Sequence, residues 1–208
     1  MLLHKMKDKQ GGFTLIELMF TIVVLAVLLA IGVPSFRDFL RNGRMVSAGN
    51  DFLTDVNLAR SESVKRRVSV TLCKSTNGSS CSTDNSVALR RWIVFVDDAN
   101  SAAVHANDGN GSVDVGETVL KDRSIATSIT PSASGNRIVF QPNGFPVVDA
   151  TNALTRILMC DSRRSAISTG GVSAARGITI SATGRPSITR DKSKIDQAVA
   201  SGGFGGCP

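Results

Sequence analysis

Apolar residues fill the segment from Leu15 to Val33, and only Glu17 and Thr21 interrupt them. At about 1.5 Å of rise per residue, a helix over this run is roughly 28 Å long, which is close to the thickness of the bilayer hydrocarbon. Further along, apolar residues recur at three-, four- or seven-residue steps, so we expect the helix to continue with one apolar face. We expect it to end between Val64 and Arg67, where basic side chains suit a helix C-terminus. The predicted apolar face consists of Phe36, Phe39, Leu40, Val46, Leu53 and Val56.

After Arg67 the pattern changes to short β-type runs separated by turn residues. One long helix followed by such runs predicts an α+β fold, with a long N-terminal helix, membrane-spanning in its first half, packed on antiparallel β-sheets. We expect Trp92 to be a core residue at a strand start. Residues 99–116 are predicted to form a polar loop, and Lys192–Pro208 a flexible tail apart from its cysteine. The predicted strands are VSVTLC, WIVFVDD, ETVL, NRIVFQP, TRILMCD and GITIS.

The length of 208 residues allows one globular domain and an additional element, but not two full domains. The formal net charge of +7 is unevenly distributed. Between Trp92 and Asp122, six acidic residues stand against one lysine, a net charge of −5. Between Arg156 and Lys194, eight basic residues stand against two acidic ones, a net charge of +6. Such a basic segment can attract anionic partners, although a solvated surface is its commoner explanation.

The four cysteines, Cys73, Cys81, Cys160 and Cys207, are spaced too irregularly for a zinc site of paired C-x-x-C ligands. An even number of cysteines in an exported chain predicts two disulfide bonds. Three pairings are possible. The turn-rich KSTNGSS between the first two cysteines favours a local Cys73–Cys81 bond, which leaves Cys160 to pair with Cys207.

The first twelve residues contain three lysines and one aspartate, a net charge of +2. This charge predicts that the leader stays in the cytoplasm while the rest crosses the membrane. A secretory signal has its small-residue cleavage site after the apolar run, whereas Gly11 and Gly12 precede it here. A simple membrane anchor would explain the lysines and the apolar run. It would not explain Glu17, because a carboxylate in hydrocarbon costs several kcal/mol unless it is paired.

The segment KDKQGGFTLIELMFTIVVLAVLLAIGVPSF resembles the class III leader and first helix of type IV pilins and type II secretion pseudopilins. The resemblance implies cleavage between Gly12 and Phe13 by a prepilin peptidase, followed by N-methylation of Phe13. It also implies that Glu17, the fifth mature residue, serves subunit assembly, and that Pro34 kinks or locally melts the helix. An uncovered α-amino group and a carboxylate can neutralise each other in an apolar filament, so the pair would act as a registry device.

Later segments are similar to the GspH/FimT group of minor pilins and pseudopilins. They are VTLCKSTNGSSC, WIVFVDD with the loop that leads to VGETVL, IVFQPNGFP and GITISATGR. The resemblance implies a FimT/FimU-like minor pilin that assembles or primes the tip of a type IV pilus. The alternatives are a GspH-type pseudopilin of the type II secretion system and a DNA-binding tip subunit for natural transformation.

This resemblance implies a leader over residues 1–12, a pilin helix over 13–66 with a transmembrane part at about 15–33, and a β-rich globular domain over 67–208. The expected location is the bacterial inner membrane, crossed once with the C-terminal domain in the periplasm, and the pilus or pseudopilus after assembly. The expected partners are other pilins or pseudopilins, the prepilin peptidase and the inner membrane before assembly.

The candidate DNA-binding residues are Arg185, Arg190, Lys192 and Lys194. DNA-binding members of the group have a G-R-x-R-like motif, but here Gly184-Arg185 is followed by Pro186-Ser187, so Arg190 has to replace the second arginine. Exposed cations of this kind would contact phosphates with a steep salt dependence and little sequence preference. No aromatic residue lies between them, which argues against stacking on single strands.

No enzymatic activity, metal or cofactor is predicted. The mature chain has one histidine, His105, and no G-x-S-x-G elbow or metalloprotease helix. The segment from Asp108 to Glu117 has alternating oxygen ligands, like a calcium loop. Counted from Asp108, however, the positions that need glycine and glutamate hold Val113 and Val119, so an acidic turn-rich loop is the favoured interpretation.

Overall fold

The helix α1 (Leu15–Arg66) begins next to Thr14, whose side chain accepts a hydrogen bond from the Glu17 N–H at 3.3 Å and so caps its first turn. The computed structural model describes residues 12–98, 109–147, 153–168 and 171–207. The helix ends at Arg66, within the predicted interval. The resemblance implies a kink or local melting at Pro34; the helix continues through Pro34, so local melting is absent. The chain divides into two units, Met1–Arg41 and Asn42–Pro208, and α1 contributes to both.

The second unit contains two larger antiparallel sheets among its described residues. The five-stranded sheet has the order β3-β2-β1-β5-β6, and the four-stranded sheet has the order β11-β10-β7-β4. Strands β8 (Ile167–Ser168) and β9 (Val172–Ser173) form a small separate pair. The strands of the first sheet are β1 (Val70–Lys74), β2 (Arg91–Val96), β3 (Val119–Ser124), β5 (Arg137–Phe140) and β6 (Pro146–Val147). Those of the second are β4 (Thr130–Ala133), β7 (Arg156–Cys160), β10 (Arg176–Ile180) and β11 (Pro186–Thr189).

The main core lies between the second half of α1 and both sheets. Trp92 is fully buried, as predicted, and its ring meets the edge of Phe52 with centroids 5.2 Å apart. The prediction of a long helix packed on antiparallel sheets is therefore confirmed. The helix contributes Met45, Ala48, Phe52, Val56 and Ala59 to this core, and the sheets contribute Leu72, Trp92, Val94, Ile138, Phe140, Ile157, Met159, Ile178 and Ile180.

The buried face of α1 differs from the predicted one. Met45 and Phe52 are fully buried, whereas Val46 is 45% exposed and Leu53 packs against the core only half-buried. Gly49 belongs to the buried face, and a Cβ there would lie 3.1 Å from Ile188 Cδ1 of β11. Small residues at this position let a strand approach the helix closely, which the apolar periodicity alone did not reveal.

A polar contact also joins α1 to the first sheet. Asp55 is 1% exposed, and its Oδ2 accepts hydrogen bonds from Trp92 Nε1 at 2.8 Å and from Arg123 Nε at 2.7 Å. Arg123 forms a second ion pair with the more exposed Asp51 at 3.1 Å. The buried carboxylate therefore has both a neutral and a charged donor, as a carboxylate in a core requires.

Two disulfide bonds lie on the sheet faces that point away from the main core. Cys73 of β1 is bonded to Cys81, and Cys160 of β7 is bonded to Cys207; no cysteine is free. Each bond belongs to a small apolar cluster. Ile93 and Phe95 pack against the first bond, and Leu158 and Ile195 against the second.

The prediction of a flexible tail over Lys192–Pro208 is wrong for the described residues. They form a short helix, α2 (Lys192–Asp196), and a 3₁₀ turn (Val199–Ser201). Asp191 caps α2 by accepting a hydrogen bond from Ser193 N at 2.9 Å, and Ile195 is fully buried. The Gly206 N–H donates to Ile195 O at 2.8 Å, which holds the segment around the Cys207 bond. Tertiary contacts thus order a glycine-rich sequence that lacks helical periodicity.

Candidate functional site

The residues predicted for leader cleavage and subunit assembly lie at the N-terminal end of α1. Gly12, Phe13 and Thr14 precede the helix, so the predicted cleavage point lies just before its first turn. Phe13 is 86% exposed. Glu17 is also exposed and lies in the first helical turn, where the helix dipole favours a negative charge. The carboxylate therefore lies one turn from the position where an amine would appear after cleavage.

Among the described residues, the apolar side chains of this segment are largely exposed. From Leu15 to Val33 the large apolar side chains are 41–76% exposed. The helix is long and apolar enough to cross a membrane, and none of its apolar window is buried. A core helix of a soluble protein would be covered by its own sheets. An exposed apolar surface of this kind is typical of a segment that contacts lipid or other protein subunits.

The four candidate DNA-binding residues do not form one cluster. Arg185 is exposed in the turn between β10 and β11, whereas Arg190 follows the other end of β11. Five residue steps of extended chain, from 185 to 190, separate the two arginines by roughly 16 Å. Arg190 is half-buried and donates to Ser173 O at 3.3 Å. Lys192 and Lys194 are exposed on α2, and Lys192 is paired with Asp196.

Much of the positive charge of the C-terminal segment is internal. Arg176 is 3% exposed, and its guanidinium donates to the carbonyl oxygens of Ser173, Ala174 and Ala175 at 3.3 Å. Burial, together with the charges of nearby arginines, lowers the pKa of Arg176 to about 10. Arg163 is paired with Asp161. The net charge counted along the sequence therefore overstates the exposed basic surface.

The acidic segment between β2 and β3 begins with a buried residue, Asp97, which the sequence did not single out. Asp97 follows β2 directly and is fully buried. Its Oδ2 accepts hydrogen bonds from Thr71 Oγ1 at 2.5 Å and from Gly111 N at 2.8 Å. In the described part of the chain no three His, Cys, Asp or Glu side chains are placed to hold a metal ion as they stand. His105 and Asp108 lie outside the described residues.

Comparison with known protein families gives two matches, one at the N-terminus and one over most of the remaining chain. A model of the prokaryotic N-terminal methylation motif matches residues 7–33, which include Gly12, Phe13 and Glu17. A second model, for the type II transport protein GspH, matches residues 48–184, about two thirds of the chain. The chain belongs to the GspH family. The resemblance of the later segments to the GspH/FimT group is thereby confirmed.

Two curated relatives match this GspH-family chain over a short segment. Prepilin peptidase-dependent protein D of Escherichia coli K12 is 46% identical over 46 residues, which are 22% of this chain and 32% of the relative. Fimbrial protein EcpC of Eikenella corrodens is 42% identical over 45 residues, which are 22% of this chain and 29% of the relative. The chain thus spans about a third of the length of these relatives.

Two crystal structures of the type IV minor pilin FimU of Pseudomonas aeruginosa PAO1 are also similar. The form in space group P65 aligns with a TM-score of 0.44 at 18% identity, over 71% of this chain and 94% of that chain. The form in space group P21 aligns with a TM-score of 0.46 at 18% identity, over 75% and 95%. At these values the likeness adds nothing to the functional argument, which depends on the family and on the residues of this chain.

Proposed function

We propose that this GspH-family protein is a minor pilin, a structural subunit that assembles or primes the tip of a type IV pilus. The precursor inserts in the inner membrane with its C-terminal domain in the periplasm. A prepilin peptidase cleaves it between Gly12 and Phe13, and Phe13 is then N-methylated. The observation that carries the proposal is the methylation motif followed by an uncovered apolar helix with one carboxylate, Glu17.

Glu17 has a physical role in this proposal. In a filament the apolar helices cover each other, and an unpaired carboxylate among them would cost several kcal/mol. The α-amino group of Phe13 exists only after cleavage and supplies the opposite charge, within one subunit or between neighbours. The pair offsets the desolvation cost only at the correct axial position, so it sets the register of the subunit. Cleavage and assembly are thereby coupled.

Glu17→Gln tests this role because it removes the charge and keeps the size of the side chain. We expect normal membrane insertion and leader cleavage, but loss of the subunit from sheared filaments. Thr21→Ala is the matched control, since it changes the other polar residue of the same run. Filament incorporation of Glu17→Gln at the wild-type level would contradict the proposed pairing.

The fimbrial relative favours a pilus over a secretion pseudopilus. A deletion strain scored in parallel for surface pili and twitching, secreted enzymes and DNA uptake separates the possibilities. We expect fewer pili with normal secretion. A defect confined to secretion would assign the chain to a pseudopilus, and a defect confined to DNA uptake would favour the DNA-binding tip subunit.

A further inference from the structure

The part of α1 that directly follows the apolar run combines large apolar side chains with arginines. It contains Phe36, Phe39 and Leu40, together with Arg37 and Arg41. Spacings of three and four residues place the three apolar side chains on one side of the helix. A spacing of four residues likewise brings the two arginines to a common side, which adjoins the apolar one. This composition differs from the apolar run before it and from the helix face that forms the core.

The three apolar side chains of this part of the helix are uncovered. Phe36 is 61% exposed, Phe39 is 69% exposed and Leu40 is 42% exposed. Their periodicity predicted that they would pack on the sheets, but the buried residues of α1 begin only at Met45. That prediction is therefore wrong for these three residues. An exposed apolar group of this size is typical of a contact surface.

The two arginines are available for an anionic partner. Arg37 and Arg41 are both exposed. Arg41 is paired with Asp38 at 3.5 Å, and the two side chains remain 44% and 57% exposed. A solvated pair of this kind contributes little stability, so another anion can replace Asp38. Among the described residues, no acidic side chain forms an ion pair with Arg37.

The length of the helix places these side chains just beyond the hydrocarbon layer of a membrane. A helix rises about 1.5 Å per residue, so Phe36 lies about 5 Å beyond Val33, and Arg41 lies about 12 Å beyond it. The headgroup layer on each side of a bilayer is roughly 5–8 Å thick. Helical side chains lean toward the N-terminus, which here is the side of the membrane. The Arg41 guanidinium therefore reaches back toward the lipid phosphates.

Each residue type of this surface suits the headgroup layer. Amphipathic and aromatic side chains are enriched where a membrane meets water. An arginine can donate two parallel hydrogen bonds to one phosphate, and it keeps its charge at this depth. Anionic lipids attract basic side chains next to a membrane span more strongly than neutral lipids do. Adjacent apolar and basic side chains therefore match the two parts of an anionic phospholipid, its acyl chains and its phosphate.

We propose that Phe36, Phe39 and Leu40, with Arg37 and Arg41, bind anionic phospholipids in the periplasmic leaflet of the inner membrane before assembly. The inference rests on the membrane insertion that the proposed function includes. The arginines hold the precursor at one depth, with the apolar run in the hydrocarbon. When the subunit enters a filament, neighbouring helices replace these lipids. Anionic lipids therefore oppose extraction of the subunit until such helices are present.

Flotation of the full chain with liposomes tests the underlying insertion first. With liposomes of phosphatidylcholine alone the chain should float, and it should stay bound at high salt, because the apolar run and not charge carries the insertion. A chain that does not float would contradict the membrane insertion of the proposed function, and this inference with it. A chain that floats but shows no preference between lipids would contradict this inference alone.

Lipid preference is measured by native mass spectrometry of the full chain in detergent. Phosphatidylglycerol and phosphatidylcholine are supplied at equal concentrations, and the bound lipids are counted from the mass. Each arginine near anionic headgroups strengthens binding by about fivefold, so the two together should favour phosphatidylglycerol by at least about tenfold. Equal binding of the two lipids would overturn the proposal.

Two double variants locate the surface. Arg37→Gln with Arg41→Gln should abolish the preference for phosphatidylglycerol and leave flotation unchanged. The matched control, Lys65→Gln with Arg66→Gln, removes the same charge from the exposed C-terminal end of α1 and should keep the preference. An equal loss in the control would contradict the proposed surface. An unchanged preference in the first variant, together with its loss from filaments, would assign the surface to neighbouring subunits and overturn the lipid proposal.

Discussion

Replacement of Asp55 tests how α1 is held on the first sheet. In Asp55→Ala the buried N–H of Trp92 loses its acceptor, which costs about 1–3 kcal/mol. Arg123 loses the closer of its two carboxylates, and a hydrogen bond to a charged group is worth about 1.5–3 kcal/mol. Arg123 is 25% exposed and keeps Asp51, so only part of the second cost applies. We expect a total loss of about 3 kcal/mol in the free energy of unfolding.

Urea unfolding of the chain from Asn42 onward, which is a compact unit with its own core, measures this loss. With a slope of about 2 kcal/mol/M, the midpoint should fall by about 1.5 M. Asp55→Asn keeps an oxygen for Trp92 but loses the charge, so its effect should be intermediate. Asp51→Ala is the matched control and should cost less than about 1 kcal/mol, as exposed ion pairs do. An Asp55→Ala loss no larger than that of Asp51→Ala would refute the reasoning.

Three further predictions concern the disulfides, acid stability and DNA. In the chain-entropy model Cys207→Ser should lower the free energy of unfolding by about 4 kcal/mol and Cys81→Ser by about 2.5 kcal/mol, because the two bonds join cysteines 47 and 8 residues apart. A larger drop in the urea midpoint for Cys81→Ser than for Cys207→Ser would contradict this. Arg91 lowers the pKa of Asp122 in the folded chain below the unfolded value of 3.8. The Asp122 carboxylate therefore contributes stability above pH 3.8, and this stability is lost as the pH falls through the folded pKa. Asp122→Asn should be less stable than wild type at about pH 7, and the difference in stability should disappear toward about pH 2. In a gel shift at low salt, Arg185→Ala should weaken the binding of duplex DNA to the full chain more than a substitution of Lys192 does, because Lys192 is paired with Asp196. If Arg185→Ala binds duplex DNA as tightly as wild type, Arg185 does not contact DNA.

The repetitive parts of the fold could be predicted because their signals are local. The apolar run from Leu15 forms a helix, and each of the six β-type segments contains a strand, as predicted. Strand β3 begins two residues later than the predicted ETVL and continues to Ser124, because β2 pairs with it along its polar half. The short β11 was missed, since Pro186-Ser-Ile-Thr has little strand pattern of its own and depends on pairing with β10.

The remaining features depend on contacts between distant residues. The tail is ordered by the bond between Cys160 and Cys207 and by burial of Ile195, neither of which has a local helical signal. Asp97 and Gly111 are joined by a hydrogen bond across 14 positions, which no local pattern along the loop reveals. By contrast, the N-terminal methylation motif is contiguous, so a family model matches it over residues 7–33 and the roles of Gly12, Phe13 and Glu17 can be proposed from the sequence alone.

The most direct test of the proposed pilin function is mass spectrometry of this subunit recovered from sheared surface filaments. The proposal predicts that the mature chain begins at Phe13 and that its α-amino group carries one methyl group. Absence of the chain from the filament fraction would contradict the proposal. So would a chain that retains residues 1–12, or one whose N-terminus lies beyond Val33, as after cleavage by an ordinary signal peptidase.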